Sequence, residues 1–141
     1  IGGLGSAVAE CLAKIKNSDS VKIWGSGMPR REFLYIDDMA SACIEVMNMP
    51  KEFYSSLTLP MVSHINLGSG EEVTIKNLAN EIRRCVGFEG SIEYDKSKPD
   101  GTMQKLMDSS KLLKTDWRPT TTLSLGLKET YSHFEKYQTL D

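Results

Sequence analysis

The sequence predicts an α/β fold, built from short strands that alternate with amphipathic helices along the chain. Two observations carry this prediction. Segments with apolar residues three or four positions apart follow short segments in which apolar and polar residues alternate. Clusters of glycine, proline and serine separate most of these segments, as turns and loops require. With 141 residues, the chain has the length of one domain or of a piece of a larger one.

The composition is that of an ordinary globular protein, since 40% of the residues are hydrophobic and 26% are charged. A net charge of -2 argues against broad binding of nucleic acid or of an anionic membrane surface. No apolar run approaches the roughly 20 residues that cross a bilayer. The histidines, cysteines and acidic residues do not show the spacing of a zinc site. We therefore expect no nucleic-acid, membrane or metal partner.

Three widely spaced cysteines fall on the apolar sides of predicted helices, and we expect them to be buried free thiols. Reduced thiols favour a cytoplasmic location. A catalytic or redox role for one of the thiols is the open alternative. The three residues are Cys11, Cys43 and Cys85.

Residues 1–20 form an atypical N-terminal segment, with a helix predicted over residues 6–17, and residues 21–141 form the remaining portion. The glycines of residues 2–5 superficially resemble a dinucleotide-binding loop. However, no strand precedes them, and the next strand ends at Trp24 rather than at an acidic residue. The start has no methionine, basic region or cleavage site, so we interpret it as a fragment boundary.

Trp24 and Arg31 flank the turn on which our site hypothesis rests. Residues 21–24 alternate as a strand, residues 25–29 predict a tight glycine turn, and a second strand is expected over residues 33–36. An aromatic ring before a glycine turn and a guanidinium after it suit an anionic, ring-bearing ligand. Two structural alternatives stay open at this point: Trp24 belongs to the core, and Arg31 is a solvated surface residue.

The next element is a helix predicted over residues 37–48, with Asp37 placed to cap it. Carboxylates at a helix start satisfy amides and favour the dipole, so we interpret Asp37 and Asp38 this way and not as a catalytic pair or metal site. The i, i+3, i+4, i+7 repeat predicts one buried face for this helix. Its members are Ala40, Cys43, Ile44 and Met47.

The rest of the chain continues the alternation of strands and helices. We expect His64 to make a structural hydrogen bond and His133 to be exposed. The predicted elements are a polar loop over 50–60, a strand over 64–67, a helix over 74–86 ended by Gly87, a strand over 91–94, a turn-rich loop over 95–102, a helical turn over 109–113 and a last helix after Thr122.

Tyr94 and Lys98 match the Tyr-x-x-x-Lys pattern of short-chain dehydrogenases, in which the tyrosine is the proton donor. That chemistry needs both side chains one helical turn apart on the same face of a helix. Here Tyr94 ends a predicted strand, and Pro99 disfavours helical backbone at Lys98. We therefore reject this pair as a catalytic site.

Three ordered blocks of the sequence resemble the GDP-L-fucose synthase family of the extended short-chain dehydrogenase superfamily. They lie at residues 24–40, 60–70 and 97–102. The first contains Arg-Glu-Phe-Leu-x-x-Asp-Asp, which is shared across the superfamily. The later blocks, Pro-Met-x-Ser-His-Ile-Asn-x-Gly-x-Gly and Ser-Lys-Pro-Asp-Gly-Thr, make the resemblance specific. It extends from about residue 21 to the C-terminal helix.

The resemblance implies the C-terminal, substrate-binding portion of a Rossmann-type extended short-chain dehydrogenase fold, without the N-terminal cofactor-binding half. The full-length enzyme would convert GDP-4-keto-6-deoxy-D-mannose to GDP-L-fucose, by epimerisation at C3 and C5 and reduction at C4. The resemblance also implies that Trp24, Arg31 and Asp100 contact the GDP-sugar. It implies NADP(H) as the cofactor of a homodimeric full-length enzyme, with none bound by this fragment alone.

The family's cofactor loop, its Ser and helical Tyr-x-x-x-Lys, and its epimerising Cys and His are expected upstream and are not present in this chain. We therefore expect no catalytic residue here and no activity from this chain alone. Two alternatives stay open. The protein is a non-catalytic module that binds sugar nucleotides, or it is another NAD(P)-dependent nucleotide-sugar epimerase or reductase.

Overall fold

The computed structural model describes residues 19–138, in which strands and helices alternate as predicted. In chain order the elements are β1 (Ser20–Trp24), β2 (Arg30–Glu32), α1 (Ile36–Asn48), α2 (Lys51–Leu57), β3 (Glu72–Thr74), α3 (Ile75–Val86), β4 (Ser91–Asp95), β5 (Gln104–Lys105), a 3-10 turn (Leu112–Lys114) and α4 (Leu123–Gln138). Strand β1 pairs in parallel with β4, and the other strands form a sheet in the order β3-β2-β5. This confirms the α/β class.

The described residues divide into two compact units. Residues 19–30, 73–104 and 124–138 form the first unit, and residues 31–72 and 105–123 form the second. The helix predicted over residues 6–17 and the opening glycines lie outside the described residues. The predicted division of the chain at residue 21 therefore stays a prediction.

The core of the first unit is a cluster around Val86 and Phe88, which are both buried. Val21 of β1, Ile82 of α3 and Tyr131 of α4 pack against this pair. Fully burying a side chain of this size contributes about 1.5–3 kcal/mol. The cluster thus ties α3 and α4 to the β1–β4 sheet, whose register runs from Ser20 opposite Ser91 to Trp24 opposite Asp95.

Helix α3 begins and ends where the sequence predicts. The Thr74 hydroxyl accepts a hydrogen bond from the Asn77 N–H at 3.1 Å and so caps the first turn. Gly87 follows the last helical residue with φ +66°, a left-handed conformation that glycine adopts at little cost. Both signals are local, so the sequence alone locates this helix.

The start of α1 differs from the prediction. Tyr35 holds the N-cap position, its side chain does not cap the first turn, and the helix begins at Ile36, so the prediction that Asp37 caps it is wrong. Asp37 is exposed in the first turn, whereas Asp38 is buried. The Asp38 carboxylate accepts hydrogen bonds from the distant residues Thr120 and Thr121. Burial acts to raise the pKa of Asp38, but these hydrogen bonds outweigh it and lower the pKa.

The face of α1 that was predicted to be buried is exposed at all four positions, and the prediction is wrong. Ile44 is 59% exposed and Met47 is 83% exposed. A helical period shows which residues share a face, but burial needs a neighbour over that face. The exposed residues form the α1 apolar face, which consists of Ile36, Met39, Ala40, Cys43, Ile44 and Met47.

Two other segments differ from their predicted structure. Residues 51–57 form α2 and not a loop, with Pro50 at the N-cap and Glu52 in the first turn, where a carboxylate favours the helix dipole. Residues 64–67 are not a strand: side chains contact their backbone, since the Lys111 ammonium donates to the His64 carbonyl at 3.0 Å. An apolar run becomes a strand only when another strand pairs with it.

The boundaries of two further elements differ from the predicted ones. Strand β2 ends at Glu32, so the strand predicted over residues 33–36 is wrong, and Ile36 already belongs to α1. The helical turn predicted over residues 109–113 is a 3-10 turn at Leu112–Lys114.

The two cysteines within the described residues are free thiols, but they are not buried as predicted. Cys43 is exposed on the α1 apolar face, and Cys85 of α3 is half-buried. Burial raises the pKa of the Cys85 thiol, which favours its protonated form. Cys11 lies outside the described residues.

Candidate functional site

The turn after β1 presents an open aromatic ring. Trp24 ends β1 and is 72% exposed, so the alternative that it packs in the core is wrong. Gly25 and Gly27 have φ values of +83° and +75°, which side-chain-bearing residues rarely adopt. The Gly25 N–H donates to the Asp95 carbonyl at 2.9 Å, which continues the contact between β1 and β4 into the turn. The glycines therefore fix a sharp turn directly beside the indole.

Asp100 holds this turn in place with both carboxylate oxygens. The Ser26 N–H donates to Oδ1 at 2.8 Å, and the Ser26 hydroxyl donates to Oδ2 at 2.6 Å. Gly25 leaves room for the carboxylate, because a Cβ at that position would overlap Asp100 Oδ1. The Ser26 hydroxyl bond, and then the Ser26 N–H bond, lower the pKa of Asp100. The carboxylate is therefore ionised at neutral pH, and its remaining lone pairs face outward from an exposed side chain.

Lys98 is a further candidate residue at this turn, which the sequence motifs did not identify. Its ammonium lies 5.6 Å from the centroid of the Trp24 ring, within the range of a cation–π contact. A turn brings it there, since the Lys98 N–H donates to the Asp95 carbonyl at 3.1 Å and the Ser97 N–H donates to the Asp95 carboxylate at 3.1 Å. Its place two residues before Asp100, in the same sequence block, was the available signal.

The structure brings two of the three predicted site residues together. Trp24 and Asp100 belong to the first unit, in which Ser26 connects the Asp100 carboxylate to the turn that follows Trp24. Arg31 lies half-buried in β2 and belongs to the second unit. An aromatic face can stack on a ring, an ammonium can bind an anion, and an ionised carboxylate can accept hydrogen bonds from hydroxyl or amide groups. The substrate contacts of all three residues stay predictions.

The structure confirms that Tyr94 and Lys98 do not lie on one face of a helix, which was the reason for rejecting them as a catalytic pair. Tyr94 lies in β4, and Lys98 lies in the turn that follows, so no helix places them on one face. The Tyr94 ring packs against Gly27, since a Cβ there would lie 2.5 Å from Cε1. Burial raises the pKa of Tyr94, which keeps the phenol protonated.

The described residues, 19–138, contain no cluster of metal-ligating side chains and no helix that could span a membrane. The turn at residues 25–29 does not fit a dinucleotide, because it leads into strand β2 and not into a helix N-terminus.

Comparison with known sequences reveals similarity to nucleotide-sugar enzymes. The sequence profile of the NAD dependent epimerase/dehydratase family matches residues 2–68. The GDP-L-fucose synthase of Escherichia coli is 45% identical over 126 residues, which are 89% of this chain and 39% of that protein. GDP-L-fucose synthase 1 of Arabidopsis thaliana is 46% identical over 124 residues, which are 88% of this chain and 36% of that protein. The chain thus spans well under half the length of these relatives.

Solved structures show the same relationship. A GDP-L-fucose synthetase from Naegleria fowleri bound to NADP has a TM-score of 0.78 at 26% identity, over 97% of this chain and 41% of that one. A GDP-mannoheptose C4 reductase from Campylobacter jejuni with NADP bound has a TM-score of 0.77 at 30% identity, over 94% of this chain and 44% of that one. The described fold therefore corresponds to a portion of the extended epimerase fold.

Proposed function

We propose that this chain, which is similar to GDP-L-fucose synthases and matches the NAD dependent epimerase/dehydratase family over residues 2–68, carries sugar-nucleotide contacts of a whole protein with that activity. In this proposal the whole protein converts GDP-4-keto-6-deoxy-D-mannose to GDP-L-fucose, by epimerisation at C3 and C5 and hydride transfer from NADPH to C4. By the same resemblance, the whole protein is a cytoplasmic homodimer. The chain is the C-terminal portion, and cofactor and catalytic residues belong to the part outside it.

The observation that carries the proposal is the exposed Trp24 indole beside a turn that the Asp100 carboxylate fixes. The Trp24 side chain is 72% exposed, so its ring is accessible to a ligand ring that stacks on it. Lys98 lies over the same ring and supplies a positive charge for a diphosphate. The site therefore has the groups that a nucleoside diphosphate sugar requires.

Each predicted contact has a distinct physical role in this proposal. Trp24 covers a ring of the nucleotide or the sugar, and stacking of this kind contributes about 1–3 kcal/mol. Arg31 pairs with the diphosphate through its planar guanidinium, which can donate two parallel hydrogen bonds. Asp100 keeps the turn in place and accepts further hydrogen bonds from hydroxyl or guanine N–H groups on its free lone pairs.

Binding measurements on the intact enzyme test this assignment. Arg31→Ala is expected to weaken binding of the GDP-sugar by about 1.5–3 kcal/mol, the worth of a charged hydrogen bond, and Trp24→Ala to weaken it as well. Arg84→Ala is the matched control, because Arg84 is an exposed arginine of α3 whose ion pair with Glu81 contributes little. Isothermal titration calorimetry gives the dissociation constants. Unchanged affinity in Arg31→Ala, or tighter binding of UDP-sugars than of GDP-sugars, would contradict the proposal.

A second candidate is reduction of the GDP-4-keto sugar at C4 without epimerisation. The similarity to the GDP-mannoheptose C4 reductase, at 30% identity and a TM-score of 0.77, favours it. Product analysis by NMR after incubation of the intact enzyme with NADPH and the 4-keto sugar separates the two. GDP-L-fucose supports the first candidate, and a product reduced only at C4 supports the second. Absence of any product, together with retained GDP-sugar binding, would identify a non-catalytic binding module.

A further inference from the structure

Two motifs far apart in the sequence meet at the carboxylate of Glu32. Oε1 of Glu32 accepts a hydrogen bond from the Gly70 N–H at 2.7 Å, and Oε2 accepts one from the Met107 N–H at 3.0 Å. These donors lie 38 and 75 residues further along the chain, in the same unit as Glu32. One side chain therefore joins the end of β2 to the Gly68-x-Gly70 turn and to the segment after β5.

The Glu32 carboxylate occupies space that a side chain at position 68 would need. Gly68 is buried, and a Cβ at this position would lie 2.5 Å from Glu32 Oε1 and 2.7 Å from the Ser109 hydroxyl oxygen. The Ser109 hydroxyl is itself buried and makes no hydrogen bond within the described part of the chain. Glycine at position 68 is thus explained by space, because any side chain there would displace the carboxylate.

We propose that Glu32 is a positioning residue for Arg31. The Glu32 carboxylate fixes strand β2, and the Arg31 side chain extends from that strand. Strand β2 has only three residues, and Arg31 stands immediately before Glu32. Successive side chains of a strand point to opposite faces, so Glu32 can hold one face while Arg31 is presented on the other. The inference rests on the proposed function, in which Arg31 binds the diphosphate.

The geometry explains why a carboxylate is needed at this position. Both neighbours are N–H donors, so both oxygens of the side chain must accept. Glutamine has one accepting oxygen and would turn its NH2 group toward one of the two donors. Strand β2 lies between β3 and β5, but the residues that follow it, 33–35, are irregular, so the Glu32 carboxylate is a side-chain anchor at the C-terminal end of the strand. Loss of one hydrogen bond at Glu32 should therefore loosen Arg31.

The test compares variants of the intact enzyme in calorimetric titrations with GDP-sugar and with NADPH. Glu32→Gln is expected to raise the dissociation constant for the GDP-sugar about tenfold, the effect of one charged hydrogen bond, and to leave that for NADPH unchanged. Gly68→Ala should have the same effect, because it displaces the carboxylate without altering it. Glu52→Gln is the matched control, since Glu52 is an exposed acidic residue of the same unit.

A double-mutant cycle shows whether Glu32 acts through Arg31. On the Arg31→Ala background, Glu32→Gln should change the affinity for the GDP-sugar less than about twofold. Full additivity of the two substitutions, or wild-type affinity in Glu32→Gln while Arg31→Ala is impaired, would overturn the inference and leave the proposed function intact. Equal loss of NADPH and GDP-sugar binding would show that Glu32 serves the fold as a whole, and this would also overturn it. Wild-type affinity in Arg31→Ala would instead refute the proposed function.

Discussion

Replacing Asp38 by asparagine should destabilise the protein far more than replacing its neighbour Asp37. The buried Asp38 carboxylate accepts hydrogen bonds from the Thr120 N–H at 3.1 Å, the Thr120 hydroxyl at 2.8 Å and the Thr121 N–H at 2.9 Å. Asparagine keeps one accepting oxygen for Thr120 but turns its NH2 group toward the Thr121 N–H. One charged hydrogen bond is lost and a donor is left unsatisfied, so we expect a loss of about 2–3 kcal/mol.

The pH dependence of this difference follows from the pKa of Asp38, which the hydrogen bonds lower in the folded protein despite the opposing effect of burial. A group with a lowered folded-state pKa stabilises the fold fully above its unfolded pKa, and this stabilisation is lost as the pH falls through the folded value. The difference in the free energy of unfolding between wild type and Asp38→Asn should therefore be constant above about pH 5. It should shrink below about pH 4, near the ordinary pKa of aspartate.

Urea denaturation, followed by far-UV circular dichroism between pH 3 and pH 8, measures both effects. Asp37→Asn is the control, because Asp37 is exposed in the same turn of α1 and contributes only through the helix dipole, about 0.3–1 kcal/mol. A destabilisation by Asp38→Asn no larger than that by Asp37→Asn would refute the assignment of Asp38 as the anchor of residues 120–121. A difference that persists unchanged at pH 3 would refute the role of the charge.

Two further predictions concern the site and the exposed surface. Asp100→Asn and Ser26→Ala should each raise the dissociation constant for the GDP-sugar in calorimetry, because the first removes the charge that strengthens the bonds to Ser26 and the second removes the hydroxyl bond. Ser26→Thr keeps the hydroxyl and should bind with wild-type affinity. Wild-type affinity in both Asp100→Asn and Ser26→Ala would contradict the role of the turn. We expect the isolated chain to self-associate through the α1 apolar face, so Ile44→Glu or Met47→Lys should reduce the association measured by analytical ultracentrifugation. Unchanged association in both variants would exclude this face.

The sequence motifs name candidate site residues, but they do not predict the contacts between them. Trp24, Arg31 and Asp100 were all named from their motifs, and the exposure of Trp24 agrees with a ligand-facing role. The bonds between Ser26 and Asp100 could not be predicted, since 74 residues separate the partners. Lys98 was considered only as a catalytic lysine, although its neighbour Asp100 was recognised as a site residue. Motifs name residues, but the contacts of those residues depend on the path of the chain.

The sequence by itself determined the elements whose signals act within a few residues. The Thr74 cap, the apolar period and Gly87 locate α3, because caps and helix ends satisfy backbone groups in their own turn. Tertiary structure alone decided which face of α1 is covered, why Asp38 and not Asp37 is the anchor, and which donors Glu32 binds. The hydrogen bonds of Glu32 and Asp38 come from segments 38 to 83 residues away, and a local sequence pattern does not predict which distant segment will pack there.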